Sequence, residues 1–233
     1  MKKHGKKYVR AKEQIKPGTT HSAKDALDKV KGLAYAKFDE SVDVHINLGI
    51  DPAKGDQVVR GSVVLPYSKG LAVKVLVFAK GDYAEQAEKA GADFVGAEDL
   101  IEKINGGWMD FNYAVATPDL MGMVGKVAKI LGPRGLLPNK KLGTVTFEIA
   151  PVVADLKKGR VFFKNDKSGI VHFSLGKVSF GTDKLLSNFA EFTKELVRAK
   201  PASSKGKFLK KMTVSSTMGI GIPVNPDDVL LLS

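Results

Sequence analysis

The chain has 233 residues, 43% apolar and 27% charged, which excludes a disordered protein and a fibre and allows one large domain or two small ones. No stretch approaches the roughly 18 continuous apolar residues of a membrane span, the basic start Met1-Lys-Lys-His-Gly-Lys-Lys has no apolar region behind it, and zero cysteines exclude disulfides, thiolate metal sites and cysteine nucleophiles. An excess of 37 Lys and Arg over 25 Asp and Glu leaves +12, which points to a polyanionic partner, nucleic acid ahead of an anionic membrane surface, with a merely solubilising surface as the plain alternative.

In chain order, residues 23–35 read as a helix. Val42, Val44, Ile46 and Leu48 then alternate with Asp43, His45, Asn47 and Gly49, the period of two that predicts a strand with one wet face in an antiparallel sheet. Residues 58–65 supply another strand. From 73 onward the rhythm changes: apolar runs at 73–79, 94–95, 113–116 and 144–147 alternate with helical patterns at 83–90, 99–104, 120–131 and 152–157. Short apolar strands alternating with helices predict a mainly parallel sheet covered on both faces. Beyond it, 160–163, 170–173 and 208–214 are strand candidates. Leu185, Leu186, Phe189, Phe192, Leu196 and Val197 form a helical stripe with Thr182 or Asp183 to cap its start. Residues 200–207 read as an exposed linker.

Charge follows the same division. The nets are +5 for residues 1–68, +1 for 69–158 and +6 for 159–233, so nearly all the excess lies in the two ends. The predicted fold is therefore an α+β two-layer domain built from both termini, residues 1–68 and 159–233, with an inserted Rossmann-like α/β domain at 69–158. Tyr67-Ser68-Lys69-Gly70 and Lys157-Lys158-Gly159 are the joints, able to act as hinges.

A search for chemistry finds no convincing enzyme site. His4, His21, His45 and His172 lack metal-type spacing. The turn Lys80-Gly81-Asp82-Tyr83 lacks the glycines of a dinucleotide site, and Gly132-Pro-Arg-Gly-Leu-Leu-Pro-Asn139 lacks the Gly-Lys-Ser/Thr ending of a phosphate loop. A structural turn is the better reading there, with Arg134, Lys140 and Lys141 as auxiliary phosphate contacts the alternative. The expectation is no cofactor, no metal and no catalysis. An enzyme using a nucleotide on the middle domain is the rival reading.

Two stretches of the basic domain suit RNA. In Ala36-Lys37-Phe38-Asp39-Glu40-Ser41, Lys37 is a phosphate-seeking cation, Phe38 a flat face for ribose or base, and Glu40 and Ser41 acceptors for ribose hydroxyls. Phe38 as a core residue closing the first helix is the competing reading. In Ser215-Ser216-Thr217-Met218-Gly219, small hydroxyls precede a flexible apolar side chain and a glycine that permits close approach, although strand-edge packing accounts for them equally well.

AKFDES near the start and STMG near the end, with GWMDF, VATPDLMG, GPRGLLPN and FKNDKSG between them, resemble the bacterial-type large-subunit ribosomal protein of the lateral L-one stalk over nearly the whole chain. The resemblance implies a structural, non-enzymatic protein, a monomer within the cytoplasmic large ribosomal subunit or a plastid one. Its implied partners are the large-subunit rRNA stalk, exit-site tRNA and its own mRNA leader, through which it represses its operon. A regulator acting on messenger RNA alone is a further alternative. Carried over, the family's RNA-binding residues resemble Lys37, Phe38, Glu40, Ser41, Thr217, Met218 and Gly219, with Lys167 and His172 expected nearby and Asp166 organising their turn. The family often has Thr where this chain has Ser41, a change that keeps the hydroxyl.

Overall fold

The computed structural model describes residues 5–16, 18–68 and 73–231. Its elements are α1 (Lys6–Glu13), α2 (Ala23–Leu33), β1 (Ser41–Leu48), β2 (Arg60–Val64), β3 (Val75–Phe78), α3 (Asp82–Lys89), β4 (Phe94–Gly96), α4 (Glu98–Asn105), β5 (Tyr113–Ala116), α5 (Met121–Val124), α6 (Ala128–Leu131) and α7 (Ile149–Lys158), followed by β6 (Arg160–Lys164), β7 (Ile170–Lys177), α8 (Thr182–Arg198), β8 (Leu209–Ser216), β9 (Ile222–Val224) and α9 (Pro226–Leu230). The fold is mixed α/β. The described residues form two compact units, one from those up to 68 and those from 162 onward, the other from 73–161. Lys69 and Gly70 of the first expected joint, and the basic start through His4, lie outside the described residues.

In the unit made from both ends, four strands form an antiparallel sheet in the order β7-β1-β8-β9. Val42, Val44, Ile46 and Leu48 of β1 are buried while Ser41, Asp43, His45 and Asn47 stay half-exposed, as their alternation requires. The helices α2 and α8 pack on each other and against strands of this sheet. Phe192 of α8 stacks on Phe173 of β7 with ring centroids 4.0 Å apart. Buried Asn188 donates to the carbonyls of Tyr67 and Leu175 at 2.9 and 2.8 Å and accepts from Tyr67 N–H at 3.0 Å, satisfying groups that burial would otherwise leave unpaired.

The second unit holds a parallel sheet in the order β4-β3-β5. Every residue of β3 is buried. Leu76 and Phe78 join Leu100, Ile104, Val124, Val127 and Leu131 in one core. Val75 and Val77 point to the other face, and α3 and α7 pack on each other and on β3.

Local differences from expectation have local causes. The 120–131 pattern is not one helix but alternating short α and 3-10 turns, because Gly122 and Gly125 weaken it. Residues 144–147 make only one parallel bridge, Val145 to Ala116, since few residues separate the left-handed Gly143 from α7. The helix α7 starts at Ile149 rather than 152, because its first turn tolerates Pro151. Neither Thr182 nor Asp183 caps α8: the N-cap is Gly181, and the Thr182 hydroxyl donates to Asp28 at 2.6 Å. The 200–207 stretch is pinned by buried Ser204, whose hydroxyl donates to the Gly49 carbonyl at 2.9 Å.

Candidate nucleic-acid interface

The strand β1 lies between β7 and β8, so its start meets the end of β8, with Val42 opposite Ser216. That pairing brings the loop after α2 against the turn after β8. Ser41 N–H donates to the Thr217 hydroxyl at 2.9 Å, and Thr217 N–H returns to the Ser41 carbonyl at 3.1 Å. The Tyr35 hydroxyl donates to the Met218 carbonyl at 2.6 Å.

Glu40 locks the two segments together. It is 2% exposed. One carboxylate oxygen accepts from Tyr35 and Ala36 N–H at 3.2 and 2.8 Å, the other from Met218 N–H at 3.0 Å. Burial pushes its carboxyl upward, but hydrogen bonds from the Ser216 hydroxyl and from these three N–H groups outweigh it and hold the carboxyl below the usual range. The ribose-acceptor role expected of Glu40 is therefore corrected: its oxygens are occupied inside the protein, and it positions the neighbouring side chains. Gly219 is required by the same network, because a Cβ there would sit 2.3 Å from the Ser216 Oγ.

On this frame Phe38 is 57% and Met218 52% exposed, so the core reading of Phe38 is excluded. Two large apolar side chains held in water by neighbouring rigid segments mark a contact surface. Thr217 and Lys37 are exposed beside them, and Lys37 has no hydrogen-bond or ion-pair partner among the described residues. Ser41 is half-exposed, its hydroxyl accepting from Lys177 at 3.0 Å.

Lys167 and His172 form a separate group. Asp166 organises the turn between β6 and β7, accepting from Ser168 and Ile170 N–H at 2.8 Å each. These backbone bonds, the one from Ile170 foremost, hold its carboxyl low. Lys167 is exposed on that turn and borders, with Arg60 and Lys164, a cleft of about 500 Å³. His172 follows on the half-exposed face of the sheet, beside His45 of β1.

The sequence matches the profile of the ribosomal protein L1p/L10e family over residues 29–220, a span that holds every candidate contact from Lys37 to Gly219. The chain belongs to this family. It is 50% identical over 226 residues to the large ribosomal subunit protein uL1 of Desulfotalea psychrophila (strain LSv54 / DSM 12343), covering 97% of this chain and 96% of that protein. It is thus a bacterial-type L1 ribosomal protein, a structural component rather than an enzyme.

Three further groups in this L1-family chain escaped sequence reasoning as site residues: the tethering Lys177, the cleft cations Arg60 and Lys164, and His45. Two of them left a signal: His45 by its place on the wet side of the β1 alternation, and Lys164 by its place in the FKNDKSG motif. In the parallel-sheet unit Arg134, Lys140 and Lys141 are exposed, and Asn139 organises their loop by accepting from Lys141 N–H at 2.8 Å. Among the described residues no cluster of three or more His, Asp or Glu has metal-binding geometry, and no helix is long and apolar enough to cross a membrane.

Proposed function

We propose that this protein binds the lateral stalk of large-subunit rRNA in the cytoplasmic ribosome, through a two-layer α+β domain of residues 1–68 and 159–233. The parallel-sheet unit, residues 69–158, is a Rossmann-like insertion. The observation that carries this reading is the pair of exposed apolar side chains, Phe38 and Met218, on a frame tied by Glu40. Lysines and arginines of the two ends supply sequence-independent phosphate attraction, while Phe38, Ser41, Thr217, Met218 and Gly219 fit a shaped minor-groove or bulged surface. Lys37 and Lys167 are phosphate contacts, and Glu40 acts through its neighbours. The stalk so bound assists exit-site tRNA, and a messenger leader of the same shape occupies the same surface, which makes the protein a repressor of its own operon.

The test is binding of the whole chain and its Met218→Ala variant to stalk RNA across a salt series. Met218→Ala is expected to lose about 1–3 kcal/mol at every salt concentration. Its salt slope should be unchanged, because no phosphate contact is removed. A loss below a few tenths of a kcal/mol overturns the assignment of the patch. Co-sedimentation with large subunits separates a ribosomal component from a regulator of messenger RNA alone.

A further inference from the structure

The half-exposed face of the four-stranded sheet carries a line of polar side chains that the Phe38–Met218 patch does not use. His45 of β1 stands opposite His172 of β7 on one side and Thr213 of β8 on the other. The two Nδ1 atoms are 2.8 Å apart, the rings edge to face with centroids at 5.0 Å. Beyond them, His172 Nε2 is 3.5 Å from an Asp166 carboxylate oxygen and His45 Nε2 is 3.4 Å from the Ser215 hydroxyl. The line runs Asp166, His172, His45, Ser215 across three strands.

A 2.8 Å contact between ring nitrogens needs one N–H and one lone pair. With both rings neutral, the Ser215 hydroxyl donates to His45 Nε2, His45 Nδ1–H donates to His172 Nδ1, and His172 Nε2–H donates to Asp166. One added proton, on His45 Nε2, reverses one of these bonds without breaking any. His45 then donates from both nitrogens, to His172 Nδ1 and to the Ser215 hydroxyl, and His172 Nε2–H still donates to Asp166. A second proton sets two N–H groups and two positive charges against each other. The line therefore accepts one proton, and only one, without rearrangement.

Other charged groups facing the pair are few. Asp43 shares its strand face. Lys211 of β8 lies opposite Asn47, Lys177 of β7 lies opposite Ser41, and Lys167 sits on the turn beside Asp166. Burial first, and the second imidazole next, hold His45 below the ordinary histidine value against the pull of Asp43, so the ring is neutral at pH 7 in the free protein. A phosphodiester brought onto the pair reverses that balance, because an anion stabilises the protonated form. Ser41 and His45 project from the same face four residues apart, about 13 Å along the strand. An RNA docked on the patch at Ser41 carries its backbone past the histidines within a few nucleotides.

We propose that His45 and His172 form a phosphate-binding site that takes up one proton as an RNA backbone phosphodiester docks, making RNA affinity pH-dependent. This rests on the RNA-binding reading above. The test is calorimetry of the full chain with stalk RNA at constant ionic strength between pH 6 and 8, in buffers of different ionisation enthalpy. Close to one proton is expected to enter per complex, with affinity falling up to about tenfold per pH unit as pH rises. The slope should flatten in H45Q and H172Q and persist in H21Q. In the unsubstituted protein the ring resonances of His45 should move toward the protonated position on RNA addition at pH 7. RNA binding without proton uptake, an undiminished slope in H45Q, or unmoved ring resonances overturns this site alone. Absence of binding at every pH overturns the RNA reading itself.

Discussion

Replacing Glu40 by Gln tests whether the apolar patch is held by a buried carboxylate. The substitution keeps shape and volume but puts an NH₂ where an oxygen stood. That NH₂ must face either the Met218 N–H or the Tyr35 and Ala36 N–H groups, all of which now donate to the carboxylate. At least one backbone donor loses its acceptor, and the surviving bonds lose the help of the charge. One unsatisfied donor at about 1–3 kcal/mol, with the weakening of the others, puts the loss at about 2–4 kcal/mol. Chemical denaturation measures it. The pH dependence gives a second reading. Because the folded carboxyl lies below its unfolded value, the folded state binds fewer protons in the window between the two, and stability rises with pH there. The contribution is complete above the unfolded carboxyl range, near pH 4.5, and disappears as pH falls through the folded value. The difference between wild type and Glu40→Gln should therefore be full at pH 7 and shrink toward pH 3. Stalk-RNA affinity should fall in the folded variant as well, since the segments bearing Phe38 and Met218 lose their common anchor. A variant within 0.5 kcal/mol of wild type, roughly the scale of a neutral surface change, and with unaltered RNA binding refutes the framing role.

Phe38→Ala should leave stability within about 0.5 kcal/mol, as for an exposed position, while weakening stalk RNA by about 1–3 kcal/mol; denaturation and filter binding separate the two effects. Gly219→Ala drives a methyl to 2.3 Å from the Ser216 Oγ and should cost about 1–3 kcal/mol of stability, as overpacking does, together with RNA affinity; an unchanged denaturation midpoint counts against the close-approach argument. Asn188→Ala strips partners from the Tyr67 N–H and from two carbonyls and should lower stability by about 3 kcal/mol, with a matching fall in the thermal midpoint.

Elements whose pattern is local were legible in the sequence. The β1 alternation placed Val42, Val44, Ile46 and Leu48 inside, and the stripe of α8 placed Leu185, Phe189, Phe192 and Leu196 there, because a period of two or 3.6 needs no knowledge of the partner. Val197, read as part of that stripe, is exposed: one residue past buried Leu196, it lies about 100° round the helix from it. What depends on register was not legible. An aromatic residue just after a helix looks the same whether it closes the core or faces water, and the structure leaves Phe38 exposed. Glu40 reads as a free acceptor until Ser216 and Met218 are placed beside it. The His45–His172 contact exists only because Ile46 pairs with Val171 and Val44 with Phe173, a choice of partner that no single strand encodes.

The same dependence on register bears on when the surface can form. The central strand β1 finds both neighbours, β7 and β8, in the second half of the chain, so its hydrogen-bonding edges stay open until residues beyond 170 are available. Glu40 lacks its Met218 partner until later still. Closing contacts between residues 176 or more apart, such as Ser41 with Thr217 and Glu40 with Met218, carries a loop entropy that only the assembled sheet can offset. A chain that has formed α2 and β1 but not β8 holds Phe38 without a fixed orientation and has no Met218 beside it. If the patch binds RNA as proposed, recognition is all or none with respect to the sheet: charge alone attracts RNA before β8 pairs, and the shape that discriminates among RNAs appears with the turn after β8. On that proposal, an incomplete chain competes for RNA through charge alone, a binding mode that salt weakens steeply.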